Sequence, residues 1–173
     1  EENRLPENFS DTVELISVEN AFGDKYKIEK KTFEAFSRLR EDLLRNDGIQ
    51  TELISVYRTI EQQEKTFQRY IDTYGIECAK KYVAIPGHSE HHTGLGIDVG
   101  IVVDGKLTRK IEELLEVEEL FRIVQGKLSK YGFILRYPKD KEKSTKIAYE
   151  PWHFRYVGSP AVAKDIMASG LCM

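Results

Sequence analysis

The sequence predicts an α+β fold in which a central antiparallel sheet is flanked by helices. Short apolar runs typical of strands come in hairpin-like pairs, and amphipathic stretches with helical spacing are grouped between these pairs. The regular alternation of strand and helix that builds a parallel sheet is missing. With 173 residues, of which 40% are hydrophobic and 32% charged, the chain suits one globular domain, expected to span residues 1–173.

The first part of the chain predicts an arm, a strand, a helix and a second strand. Residues 1–10 are polar and are expected to lie on the surface as an arm. Apolar residues between 13 and 18 favour a short strand, and the helical spacing of Phe and Leu residues predicts a helix over about 29–45. The apolar run 53–57 predicts a strand with Arg58 at its end.

The rest of the chain also groups its predicted helices between paired strands. Two helices are predicted over about 61–74 and 77–82. Residues 97–103 predict a buried strand, and Asp104-Gly105 is a strong hairpin signal that turns the chain back. The last third contributes, in order, a long amphipathic helix over about 111–131, a strand over 133–137, a charged loop over 139–146, a strand over 152–157 and a closing helix over 160–169.

Composition argues against several classes of partner. The net charge of −3 gives no reason to expect nucleic acid or an anionic membrane. No apolar run approaches the roughly 20 residues needed to cross a bilayer. No secretory signal peptide is visible, and whether a signal or anchor exists outside this sequence is left open. Cys78 and Cys172 lack Cys-x-x-Cys spacing and are expected to be buried or incidental thiols, with their pairing left open.

Two segments concentrate the residues that can carry chemistry. All four histidines lie in or beside 89–98 and 150–153. His91, Asp98 and His153 could offer two imidazoles and one carboxylate to a divalent metal. Three such ligands leave a position for water, which is typical of catalytic zinc rather than structural zinc. Glu150, three residues before the last of these ligands, is placed to act as a general base.

Each of these residues also has an ordinary structural explanation. A single histidine is more often a hydrogen-bonded or surface residue than a ligand, and Trp152 is a natural packing residue. Asp98 could cap a turn after Gly96-Ile97. A carboxylate among buried apolar neighbours is costly, however, unless it is paired or binds a metal. The His-Glu-x-x-His motif is absent, so the common helical zinc motif gives no support.

The two segments resemble a known family. The pattern Ser89-x-His91-x-x-Gly94-x-Gly96-x-Asp98, followed by Glu150-x-Trp152-His153, is similar to that of the VanY-type zinc D-alanyl-D-alanine carboxypeptidases and the related L,D-carboxypeptidases. The resemblance extends over nearly the whole chain. It implies the fold of the Hedgehog/DD-peptidase superfamily, one zinc ion, a peptidoglycan stem peptide as substrate, and work outside the cytoplasm. We expect the chain to be a monomer.

The resemblance also implies a role for each site residue. His91, Asp98 and His153 would be the zinc ligands, and Glu150 the base that activates water and passes its proton to the leaving amine. The remaining candidates are substrate-binding residues, and Arg58 is in addition a catalytic candidate that would help zinc to hold the tetrahedral oxyanion. Arg58, Gln63 and Ser89 match positions that hold the substrate's terminal carboxylate and nearby carbonyl, and a guanidinium fork suits a carboxylate. Tyr137 and Trp152 are expected either to line the pocket or to pack in the core.

The sequence departs from the family pattern at two places and leaves alternatives open. Gly96 stands where alanine is usual, which should spare the metal site. His92 stands where glutamine is common, and His88 and His92 are expected at the rim of the site. A zinc-binding module without turnover and a cysteine hydrolase using Cys78 or Cys172 are the alternative functions. The choice between a D,D and an L,D bond is also left open.

Overall fold

The fold was obtained as a computed structural model that describes residues 4–6 and 9–170. Seven strands occur within these residues: β1 (Leu15–Glu19), β2 (Lys25–Glu29), β3 (Thr51–Ser55), β4 (Gly96–Val103), β5 (Lys106–Leu107), β6 (Phe133–Leu135) and β7 (His153–Tyr156). The α-helices are α1 (Lys30–Asp47), α2 (Ile60–Tyr74), α3 (Ile76–Tyr82), α4 (Ile111–Glu116), α5 (Glu118–Lys127), α6 (Glu142–Thr145) and α7 (Pro160–Ser169). Three short 3-10 helices span Phe9–Thr12, Glu90–Thr93 and Leu128–Tyr131.

The central sheet is antiparallel and has the order β3-β4-β7-β6, with β5 paired to the far end of β4. The predicted α+β class is therefore confirmed. The β4–β5 hairpin turns at Asp104 and Gly105, which have φ values of 50° and 74°. Two successive positive φ values are the backbone that an Asp-Gly hairpin turn favours. Strands β1 and β2 form a separate antiparallel hairpin.

The core lies between the sheet and the helices that cover it. Helix α1 buries one face because its apolar residues recur at helical spacing, and α5 contributes a second apolar face. Glu29 caps α1 at its start by accepting hydrogen bonds from the amides of Lys31 and Thr32. The fully buried large residues include Phe36, Leu39, Leu43, Ile97, Ile101, Phe121 and Phe154. This packing fixes β4 and β7, the two strands that carry the site.

Several predicted boundaries differ from the structure. Strand β3 ends at Ser55, so Arg58 lies in the following loop and not at the strand end. The helix predicted over 111–131 is divided at Val117, whose φ of −101° and ψ of 23° leave the α-helical region. The charged loop 139–146 contains the one-turn helix α6. Strands β2 and β5 were not predicted.

The structure describes part of the predicted N-terminal arm and one of the two cysteines; residues 1–3, 7 and 8 of the arm lie outside the described residues. The amide of Leu5 donates to the carbonyl of Gly87 at 2.9 Å, which places residues 4–6 beside the loop before the metal segment. Cys78 is half-buried in α3, and Cys172 lies outside the described residues. No helix in the described part of the chain combines the length and the apolar character that a membrane span requires.

Candidate active site

Strand register brings two of the predicted metal ligands together. Asp98 on β4 lies directly opposite His153 on β7, and the His153 Nδ1 atom is 2.8 Å from Asp98 Oδ1. His91 comes from the 3-10 helix Glu90–Thr93, and its Nε2 atom is 3.3 Å from Asp98 Oδ2. One potential ligand atom from each residue lies within 4.8 Å of the other two.

Burial and a backbone hydrogen bond determine the charge and the tautomer of His91. Its Nδ1 atom is 2.6 Å from the carbonyl oxygen of Val56, so Nδ1 carries the hydrogen and donates it. The lone pair of Nε2 is then directed at Asp98. Burial, aided by the positive charge of Arg58, lowers the pKa of His91 to about 4. A neutral imidazole with a free Nε2 lone pair is the form that binds a metal.

His153 lies in an environment that attracts positive charge. Burial by itself would lower its pKa, but the carboxylates of Asp98, Glu90 and Glu150 outweigh that effect and raise it to about 10. Without a cation, the cluster therefore holds a proton on His153. A divalent ion would displace that proton, because metal binding competes with protons for the same nitrogen. Two imidazoles and a carboxylate are a donor set that fits zinc.

Glu150 is enclosed beside this cluster. Its amide donates to the carbonyl of Tyr137, and its own carbonyl accepts from the amide of His153. This turn through Pro151 brings Glu150 Oε2 to 3.7 Å from His153 Nδ1. Burial, reinforced by the negative charge of Asp98, raises the pKa of Glu150 to about 8. A buried carboxyl with a raised pKa beside a metal-binding cluster is typical of a catalytic acid or base.

A cavity of about 310 Å³ opens onto the cluster and gathers most of the predicted substrate residues. Its lining includes His91, Asp98, Glu150 and His153 together with Arg58, Ser89, Tyr137 and Trp152. The Tyr137 ring packs on the His153 ring, with centroids 4.8 Å apart. Trp152 is also part of the hydrophobic core, so it both packs and lines the cavity.

Gln63 and Ser89 have structural contacts of their own. Gln63 is fully buried and its Nε2 donates to the carbonyl of Ala84 at 2.7 Å. The cavity wall is formed by Ala84 and not by Gln63. Ser89 Oγ accepts from the amide of His91 at 3.3 Å and caps the 3-10 helix. Ser89 nevertheless lines the cavity, while Gln63 supports the backbone behind the wall.

Sequence reasoning missed Tyr70, which also lines the cavity. Burial and the nearby charge of Glu150 raise the pKa of its hydroxyl. Tyr70 lies on α2, where a tyrosine at the predicted helix surface carries no signal in one sequence. Only the packing of α2 against the cavity reveals this position.

Arg58 is held in the cavity by its backbone. Its amide donates to the carbonyl of His91 at 3.1 Å, and its carbonyl accepts from His92 Nδ1 at 2.7 Å. Burial lowers the pKa of the guanidinium, while the charges of Asp98 and Glu150 oppose that shift. Arg58 Nε is buried and has no hydrogen-bond partner among the described residues. Arg58 also lines the cavity, where a guanidinium can bind an anionic or carbonyl group of a ligand.

The prediction that His92 lies at the rim of the site is wrong. His92 is buried, and its Nε2 accepts a hydrogen bond from the amide of Gly87 at 3.1 Å. It therefore ties the loop at Gly87 to the loop at Arg58. His88, in contrast, is exposed.

Replacing His92 is expected to destabilise the protein, because His92 connects the backbone of Arg58 to the loop at Gly87. The change His92→Ala leaves a buried amide and a carbonyl without their side-chain partner, so the free energy of unfolding should fall by about 1–3 kcal/mol. His92→Gln, whose amide can both donate and accept, should recover much of that loss. Denaturant unfolding of the three proteins measures the difference. An alanine variant as stable as the unmodified chain would contradict this role for His92.

Comparisons with known proteins point to one family. Residues 25–159 match the model of the family VanY, described as D-alanyl-D-alanine carboxypeptidase. A relative from Enterococcus gallinarum, the bifunctional D-Ala-D-Ala dipeptidase and D-Ala-D-Ala carboxypeptidase VanXYC, is 40% identical over 128 residues, which are 69% of this chain and 64% of that protein. The chain spans less than two thirds of the length of the curated relatives it matches.

Solved structures extend the likeness over almost the whole chain. A mutant of the vancomycin resistance D,D-pentapeptidase VanY in complex with Zn(II) is 31% identical, with a TM-score of 0.80 over 99% of this chain and 92% of that one. The L,D-carboxypeptidase LdcB is 36% identical, with a TM-score of 0.79 over 98% of this chain and 78% of that one. From the family match and these likenesses together, the chain belongs to the VanY family of D-alanyl-D-alanine carboxypeptidases.

Proposed function

We propose that this chain is a zinc-dependent carboxypeptidase that removes the C-terminal D-alanine from peptidoglycan stem peptides. The observation that carries the proposal is one cavity that joins the His91, Asp98 and His153 cluster to Glu150 and Arg58. The names of the relatives, which include D-Ala-D-Ala carboxypeptidases and an L,D-carboxypeptidase, support the choice of substrate. Such stem peptides lie outside the membrane, so the same proposal places the enzyme there, as a monomeric single peptidase domain.

In this proposal His91, Asp98 and His153 hold one zinc ion. His91 would bind through Nε2, since Nδ1 donates to the carbonyl of Val56. His153 would bind through Nδ1, the nitrogen that faces Asp98. When bound, zinc supplies Lewis acidity at the scissile carbonyl and favours deprotonation of a water molecule near neutral pH.

Glu150 would carry out both proton transfers of the reaction. As a carboxylate it takes a proton from the attacking water while the water oxygen bonds to the carbonyl carbon. It then gives that proton to the leaving nitrogen as the carbon–nitrogen bond breaks, so that D-alanine departs as a free amine. Burial keeps the pKa of Glu150 well above that of an exposed glutamate. A raised pKa suits a group that must first accept a proton and then return it.

Arg58 explains why only a terminal residue would be removed. Its guanidinium enters the cavity with one buried nitrogen unpartnered, and a free carboxylate is the group that this fork binds best. A peptide that continues beyond the residue after the cleaved bond has no free carboxylate on that residue. Ser89, Tyr70 and Tyr137 would complete the pocket around the D-alanine side chain and the preceding carbonyl.

Defined stem peptides test the function directly. The zinc-loaded protein is incubated with tetrapeptide and pentapeptide stems that carry either a free or an amidated C-terminus, and the products are identified by mass spectrometry. We expect loss of one D-alanine from a free C-terminus, no release from the amide, and inhibition by a chelator that zinc reverses. Intact peptides would favour the alternative of a zinc-binding module without turnover. Inhibition by thiol alkylation would favour a cysteine hydrolase.

A further inference from the structure

Glu90 is an acidic residue next to the cluster that the proposed reaction does not use. It opens the 3-10 helix immediately before His91, yet its side chain is only 14% exposed. Glu90 does not line the cavity. Its carboxylate lies outside the cavity, next to the proposed metal ligand His153. A carboxylate enclosed in this way is costly unless its partners compensate its charge.

Two arginines hold this carboxylate. Arg136 Nε donates to Glu90 Oε1 at 2.7 Å, and Arg155 Nη1 lies 3.7 Å from the same oxygen. Arg155 is a residue of β7, two positions after His153, and Arg136 follows β6 on the neighbouring strand. The charge of Glu90 is therefore balanced by groups fixed to the sheet that carries the cluster.

Strand β4 also fixes the main chain of Glu90. A Cβ atom added at Gly96 would lie 3.1 Å from Glu90 Cβ. That separation is closer than ordinary van der Waals contact, so Glu90 packs directly on the backbone of the strand that bears Asp98.

The other oxygen of Glu90 faces His153. Oε2 lies 3.5 Å from His153 Nε2. Both atoms are buried, and neither has a hydrogen-bond partner among the described residues. Buried polar atoms are rarely left unpaired, so each is the natural partner of the other. The two ring nitrogens of His153 therefore face different carboxylates: Nδ1 faces Asp98 and Nε2 faces Glu90. In His91, by contrast, Nδ1 faces the backbone carbonyl of Val56.

Resting on the zinc site proposed above, we infer that Glu90 is a positioning residue for His153. It accepts the Nε2 hydrogen, so that Nδ1 keeps its lone pair directed at the metal. Arg136 and Arg155 hold the Glu90 carboxylate in place. Arg136 also lies over the Tyr137 ring at 5.0 Å, and that ring packs on His153. A carboxylate behind a metal-binding histidine orients the ring and increases its basicity.

The variants Glu90→Gln and Glu90→Ala test this inference by zinc affinity, measured by competition with a chromophoric chelator. Loss of an orienting partner of a metal ligand typically costs 10–100-fold in metal affinity or activity. We expect the dissociation constant for zinc to rise by about 10-fold in Glu90→Gln and by up to about 100-fold in Glu90→Ala. With Co²⁺ in place of zinc, the absorption spectrum of Glu90→Gln should shift. At saturating zinc, kcat should fall while KM stays within about twofold, because Glu90 lies outside the cavity.

Glu52→Gln is the matched control. Glu52 is also buried and paired with an arginine, Arg40, at 3.1 Å, but it lies on β3 at the opposite edge of the sheet. This control should lose stability and keep its zinc affinity.

The outcomes separate the two proposals. If Glu90→Ala does not fold, the nearly isosteric Glu90→Gln decides. A folded Glu90→Gln protein with a zinc affinity within about twofold of the unmodified chain overturns the role of Glu90 alone. Failure of the unmodified chain to bind zinc overturns the proposed function itself.

Discussion

Replacing Glu150 with alanine is expected to abolish most D-alanine release while leaving the metal in place. Glu150 is the enclosed carboxyl that faces the cavity beside His153, and removing a general acid–base group costs about 10²–10⁴-fold in rate. The three proposed metal ligands are unchanged, so zinc content should remain near one ion per chain. Mass spectrometry of stem peptides gives the rate, and metal analysis gives the zinc content.

A glutamate on the surface provides the control for this experiment. The side chain of Glu119 is 80% exposed, and Glu119→Ala should leave both release and zinc content unchanged. If Glu150→Ala released D-alanine at the rate of the unmodified chain, the role given to Glu150 would be wrong. Loss of zinc from that variant would show that Glu150 supports the metal site instead.

Replacing Asp98 with asparagine is expected to remove zinc binding and activity together. Asp98 is the carboxylate shared by both histidines, at 3.3 Å from His91 Nε2 and 2.8 Å from His153 Nδ1. Asparagine keeps the size of the side chain but loses its charge. A ligand at 100 times its dissociation constant stabilises a protein by about 2.7 kcal/mol. The unmodified chain should therefore melt at a higher temperature when zinc is added, and Asp98→Asn should not.

The control for this change is Asp165→Asn, an exposed position on α7. Its melting temperature should rise on zinc addition as in the unmodified chain. A normal zinc-induced rise in Asp98→Asn would contradict the ligand role of Asp98. The melting temperatures of both variants are first measured without zinc. This distinguishes the loss of zinc binding from a general loss of stability.

Local patterns in the sequence determined most of the elements. Helix α1 is predicted by apolar spacing, and the β4–β5 turn by Asp104-Gly105, because helix periodicity and turn chemistry depend on neighbouring residues. The break at Val117 could not be predicted, since the apolar residues continue at helical spacing across it. Strand β5 has two residues, too few for a strand pattern to be visible.

The sequence by itself determined which residues could bind metal and which family the chain resembles, because the histidines and acids are concentrated in two short segments. Only the tertiary structure decided how they meet. The β4–β7 register places Asp98 against His153, and the backbone contacts of His92 fix Arg58. The enclosure of Glu90 also appears only in the fold. Contacts between distant segments depend on strand order and packing, which one sequence does not encode in its local pattern.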